Sequence, residues 1–148
     1  MAKILVTGMS GAGKSTILAE LERRGHRTVD TDYGGWVRPD GTWDETRMTA
    51  LLAGTADVIV SGTVENQGRF YDRFDHVVLL SAPLDVLLER VTNRPGNPYG
   101  RTEAQRAEIA EFQRTVEPRL RRGATHELDG TRPVAALADE IEDLGSPA

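Results

Sequence analysis

The sequence predicts an α/β protein built on a five-stranded parallel sheet flanked by helices. Two observations carry that prediction. Short apolar runs alternate with helix-like segments along the whole chain, which is the pattern of parallel βαβ units. The first such run, Lys3-Ile4-Leu5-Val6-Thr7, leads directly into a glycine-rich turn that opens a helix-prone stretch. A length of 148 residues fits one domain, 1–148, with a real core.

The turn after the first strand reads Gly8-Met9-Ser10-Gly11-Ala12-Gly13-Lys14-Ser15, and Thr16 completes it. This is G-x-x-x-x-G-K-S, the phosphate-binding loop or Walker A pattern. Its residue types follow from its chemistry. Backbone N–H groups converge on phosphate oxygens only where Cβ atoms do not interfere, so glycines recur. The helix that follows offers its orphan N–H groups and positive dipole end to the same anion. The nucleotide ligands are therefore Ser10, Gly11, Ala12, Gly13, Lys14, Ser15 and Thr16. Lys14 supplies a mobile cation for the outer phosphates, and the Ser15 hydroxyl is placed for Mg²⁺.

The remaining elements follow in order. The first helix runs to about Arg24, where Gly25 provides a left-handed stop. His26–Asp30 is the second strand and ends in Asp30-Thr31-Asp32. Residues 32–43 form a loop, since Gly34, Gly35, Pro39 and Gly41 punctuate it. Thr42 or Asp44 caps a helix through Gly54 with Met48, Leu51 and Leu52 on its apolar face. Asp57–Ser61 is the third strand, Gln67–Arg73 a short helix, and His76–Leu80 the fourth strand. Pro83 opens a helix at an N1-like position, with Leu84, Leu87, Leu88 and Val91 periodic along it. Residues 93–102 carry two prolines and two glycines and interrupt that helix. A long helix is expected from Thr102 to Arg122, kinked at Pro118. Ala124–Leu128 is the fifth strand and Pro133–Leu144 the last helix.

Composition narrows the function. The net charge of −5 argues against a general nucleic-acid binder. Between Arg90 and Arg122, however, eight arginines face four glutamates, so the interrupted segment lies in a locally positive stretch. Cysteine is absent, no apolar run reaches the ~18 residues of a membrane span, and the first strand begins at residue 3. A cytoplasmic protein is the expectation.

In a doubly wound sheet, ligands bind beyond the carboxyl ends of the strands. That edge gathers the phosphate loop, Asp30-Thr31-Asp32 and Ser61-Gly62-Thr63. Asp32 is expected to orient Mg²⁺ and to accept a proton from an acceptor hydroxyl; Asp30 is expected to be structural. Asp57 and Asp75 begin their strands and fall at the opposite edge, so no carboxylate ends the third strand, unlike many motor and switch nucleotidases. Arg90 and Arg94 share a helix face and, with Arg101, bracket a lid at about 93–102 that closes on transferring phosphates. Tyr33, Trp36, Arg38 and Trp43 populate the acceptor loop, where the aromatics either line the acceptor pocket or pack the loop onto the body. His26, His76 and His126 sit apart at strand boundaries, which argues against a histidine metal site.

On these residues the chain resembles the small P-loop kinases of the nucleoside monophosphate kinase, shikimate kinase and gluconate kinase group. The resemblance rests on Gly8–Thr16, Asp30-x-Asp32, Arg90-x-x-x-Arg94 and Leu128-Asp129 followed by Thr131-Arg132-Pro133. It implies ATP and Mg²⁺, Arg90, Arg132 and Pro133 around the base, and Lys14, Asp32, Arg94 and Arg101 at the transferring phosphate. It places Arg114 on an anionic group of the acceptor, beside Asp32, Trp36 and Gly62. The activity implied is transfer of the ATP γ-phosphate to a small-molecule hydroxyl or phosphate; the alternative is an ATP-binding regulatory or resistance protein with little turnover. Neither the acceptor loop nor Ser61–Gln67 matches a substrate pattern of these kinases, so the acceptor is not named by the sequence.

Overall fold

The computed structural model describes residues 2–146; the single-domain expectation also takes in Met1, Pro147 and Ala148, which lie outside them. Five parallel strands are arranged in the order β2-β3-β1-β4-β5: β1 (Lys3–Gly8), β2 (Thr28–Asp30), β3 (Val58–Ser61), β4 (His76–Ser81) and β5 (His126–Asp129). The helices are α1 (Lys14–Arg23), α2 (Glu45–Gly54), α3 (Leu84–Asn93), α4 (Glu103–Thr115), α5 (Glu117–Gly123) and α6 (Val134–Gly145). A 3₁₀ segment, Gln67–Arg73, joins β3 to β4.

Strand alternation divides the core in two. Ile4, Val6 and Ile59 face Ile17, Leu21, Leu87, Leu137 and Ile141 from α1, α3 and α6. Leu5, Val58 and Val60 face the other way, onto Trp43, Met48, Leu52 and Phe70. The chain reverses at β1, whose neighbours are β3 on one side and β4 on the other. The crevice beyond that reversal is where an open α/β sheet binds ligands.

Local signals set most boundaries. Asp44, rather than Thr42, caps α2 by accepting the Arg47 N–H at 3.1 Å. Thr102 and Gln105 form a reciprocal capping box at the start of α4. Gly25, at φ 98°, ends α1 in the left-handed region. The long helix expected from Thr102 to Arg122 is instead two helices that meet at Val116. Pro118 lies in the first turn of α5, where its missing N–H leaves no helical bond unmade. In place of the expected kink, the proline's position at a helix start makes a break.

Candidate active site

The phosphate loop wraps the space between β1 and α1. Gly11 is required there twice over: its φ is 87°, and a Cβ would stand 2.6 Å from the Leu87 carbonyl oxygen. Lys14 folds back over the loop, its Nζ donating to the Gly8 carbonyl at 2.6 Å and the Met9 carbonyl at 3.2 Å. Burial of that ammonium lowers its pKa to about 8, against the opposing pull of Asp32 and Asp30. Its bonding partners are carbonyls rather than carboxylates, so the cation is held in reserve for an incoming anion.

The two carboxylates make different contacts. Ser15 Oγ donates to Asp30 Oδ2 at 2.7 Å, while Asp30 Oδ1 accepts the Asp32 N–H at 3.1 Å. Asp30, not Asp32, therefore meets the hydroxyl assigned to Mg²⁺. Asp32 opens onto the cavity, where desolvation raises its pKa; Lys14 and Arg94 oppose that rise and Asp30 adds to it. Thr31, between them, is buried and pinned to the Ser61 carbonyl through its N–H at 3.0 Å and its hydroxyl at 2.7 Å.

A cavity of about 820 Å³ extends from these groups, floored by the phosphate loop and Ile17. Its far walls come from α3 and the segment after it (Arg90, Asn93, Arg94, Tyr99) and from the β5–α6 turn (Gly130, Arg132). Arg94 donates Nη2 to the Tyr99 carbonyl at 2.9 Å, and its Nε is buried without a partner. Burial lowers the pKa of this guanidinium. Arg90 bridges the cavity floor to its wall, reaching the Gly11 and Ala12 carbonyls at 3.2 Å each and the Gly130 carbonyl at 2.8 Å. Gly130 has to be small because a Cβ would lie 2.7 Å from the Ala12 carbonyl oxygen.

Other expected residues stand elsewhere. Arg101 is exposed, donates to the Arg94 carbonyl at 2.7 Å and does not line the cavity. Arg114 pairs with Glu111 on the exposed side of α4, because its i−3 neighbour is the nearer anion. Pro133 caps α6 without reaching the cavity, whereas Arg132 lines it and pairs with Glu140 at 2.6 Å. Gly62 is buried beneath Trp43 and Thr31, where any Cβ would collide with the Thr31 hydroxyl. Trp36 lies half-buried under the Arg47 guanidinium, 4.1 Å from its ring centroid, and Trp43 is fully buried. Both tryptophans pack the acceptor loop onto the body. The lining residues to which sequence reasoning gave no role of their own include Asn93, Asn97, Tyr99 and Gly130; the first three fall within the expected lid, and its Asn-Pro-Tyr-Gly run is the one local sign of Tyr99.

A family model described as an AAA domain matches residues 4–111, most of the chain and all of the phosphate loop. The chain belongs to the AAA-domain family. This AAA-domain chain also has the fold of solved small P-loop kinases. A shikimate kinase from Acinetobacter baumannii, in complex with shikimate, superposes with a TM-score of 0.69 at 25% identity, over 97% of this chain and 92% of that one. A gluconokinase from Sinorhizobium meliloti 1021 gives 0.63 at 20% identity over 97% and 91%. Among curated sequences, an HPr kinase/phosphorylase from Clostridium kluyveri is 40% identical over 65 residues, or 44% of this chain. The AAA-domain chain spans only 18% of the length of that relative. Among the described residues, no helix is long and apolar enough to cross a membrane.

Proposed function

We propose that this protein is an ATP-dependent phosphotransferase that moves the γ-phosphate of ATP to a small-molecule hydroxyl or phosphate acceptor. The observation that carries the reading is the convergence of four groups at one end of the cavity: the desolvated Lys14 ammonium, the Ser15–Asp30 pair, the Asp32 carboxylate and the half-buried Arg94 guanidinium. Such a site stabilises charge on a transferring phosphoryl group by positioning and electrostatics alone.

The groups present fit a nucleotide triphosphate with magnesium. Lys14 has only carbonyl partners and Arg94 Nε has none, so both gain by meeting phosphate oxygens. Among the described residues no cluster of three His, Cys, Asp or Glu side chains could hold a metal unaided. Ser15 and Asp30 offer two oxygens side by side, which suits Mg²⁺, since it binds through one or two protein oxygens together with substrate phosphates. Ser15 and Asp30 would hold it, and it would neutralise charge on the outer phosphates. Asp32 stands beside them with a raised pKa, ready to take the acceptor proton. The acceptor oxygen bonds to the γ-phosphorus as the bond from that phosphorus to ADP breaks, and the proton passes to Asp32. Arg90 and Arg132 border the end of the cavity that receives the base.

The test is ADP release by purified protein with ATP, Mg²⁺ and a panel of sugars, sugar acids and nucleoside derivatives. Acceptor-dependent ADP release, lost in Asp32→Asn with ADP affinity retained, is the expected result. Tight ATP binding with no acceptor-dependent release across the panel would overturn the reading.

A further inference from the structure

We propose that the acceptor is a neutral ring bearing hydroxyl groups, laid flat on Tyr33 with one hydroxyl on Asp32. The proposal rests on the phosphotransfer reading and adds the class of acceptor to it.

Tyr33 is adjacent to Asp32 in the turn that follows β2, which its own N–H closes on the Asp30 carbonyl at 3.2 Å. It lines the cavity beside Asp32, yet it is 63% exposed, well above Val37 and Phe112, the other large exposed apolar side chains among the described residues. An exposed tyrosine at a polar cavity mouth offers an apolar ring face next to a proton acceptor. That combination suits a ring with a hydrocarbon face and a hydroxylated edge.

Charge at this end selects against an acid. Asp30 and Asp32 supply two carboxylates, and the cations facing them, Lys14 and Arg94, also face the transferring phosphate. The arginines that could answer an anionic acceptor are turned elsewhere. Arg47 donates to the Gly34 carbonyl at 2.6 Å and lies over Trp36. Arg114 is paired with Glu111, and Arg101 holds the Arg94 carbonyl. The Arg38 charge acts on Asp40, where it helps to lower that carboxylate's pKa. An acidic acceptor would therefore add to the negative charge of the two aspartates and the γ-phosphate with no counter-ion of its own. A neutral ring adds no charge there, and its hydroxyl can donate a hydrogen bond to the Asp32 carboxylate that lines the cavity beside Tyr33.

Matched acceptors test this directly. Hexoses and cyclitols form one neutral arm and nucleosides the other; sugar acids, shikimate and nucleoside monophosphates are their charged counterparts. With ATP and Mg²⁺, the preferred neutral acceptor is expected to exceed its charged counterpart at least tenfold in kcat/KM, with the arm that responds naming the ring. Tyr33→Ala is expected to raise the acceptor KM at least tenfold with the ATP KM within twofold, and Tyr33→Trp to restore it. Because Tyr33 is exposed, an unchanged Tm will show that both variants fold. A tenfold preference for a charged acceptor, or an acceptor KM unmoved in Tyr33→Ala, overturns the proposal while phosphotransfer stands. Tight nucleotide binding with no transfer to either set removes both.

Discussion

Replacing Lys14 with methionine should stabilise the ligand-free protein while abolishing transfer. In the unfolded chain this ammonium titrates near 10.5, and burial in the phosphate loop lowers it to about 8. The folded chain thus binds fewer protons than the unfolded chain between those values. Stability accordingly rises with pH across that window, and the full penalty stands below about 8. At ~1.36 kcal/mol per pH unit the difference is roughly 3 kcal/mol. Methionine also gives up the bonds to the Gly8 and Met9 carbonyls, a loss of roughly 1–2 kcal/mol. The net gain near neutral pH is then about 1–2 kcal/mol, or roughly 3–6 °C in Tm for a domain of this size. Calorimetric scans of both proteins from pH 7 to 10.5 measure it, and the gain is expected to hold to about pH 8 and to shrink above it. A Lys14→Met variant that melts below wild type at pH 7, or a Tm difference independent of pH, would refute the reasoning. Nucleotide-phosphate binding should raise the pKa of the same ammonium, which ties the cost in stability to the function of the loop.

Three further outcomes follow from the contacts. Asp30→Asn should lower Mg²⁺-supported transfer by roughly 10²-fold or more while metal-free ADP affinity stays within a few-fold, because Asp30 orients Ser15; equal loss of both would make Asp30 a folding residue only. Gly130→Ala should weaken ADP binding about tenfold or more in calorimetric titrations, since the added methyl forces the β5–α6 turn off the Ala12 carbonyl. Trp43→Ala should cost roughly 3–5 kcal/mol in urea unfolding, as the ring is fully buried, stacks edge-on to Phe70 at 5.8 Å and donates to Thr31 at 3.0 Å; a loss under about 1 kcal/mol would mean that the acceptor loop is not packed as described.

Much of this fold was legible because its signals are local. The phosphate loop is encoded within eight residues, and the caps at Asp44 and Thr102 within four, so neighbours in sequence settle their conformation. The alternation of apolar runs with helix-like segments likewise assigned the parallel sheet. The α4–α5 break was half legible: Pro118 marked the place, but only the turn of chain at Val116 made it a helix start. Side-chain allegiance was not legible at all. Nothing in Asp30-Thr31-Asp32 says which carboxylate meets Ser15, because β2 pairs with β3 and sets that rotation from outside the segment.

The arginines show the same limit more sharply. Sequence spacing put Arg90 and Arg94 on one face, and both do line the cavity. Arg101 and Arg114 carry the same charge in the same positive stretch, yet the Arg94 carbonyl and Glu111 capture them first. A guanidinium goes to its nearest desolvated or anionic partner, and that partner is fixed by packing over distances the sequence does not report. The sequence by itself determined a parallel α/β chain with a phosphate loop, since both are written in short-range pattern and backbone geometry. Only the tertiary structure decided which charges reach the cavity and which tryptophan becomes core. It also decided that Tyr33 is left open beside Asp32, because those outcomes are competitions between groups far apart in the chain.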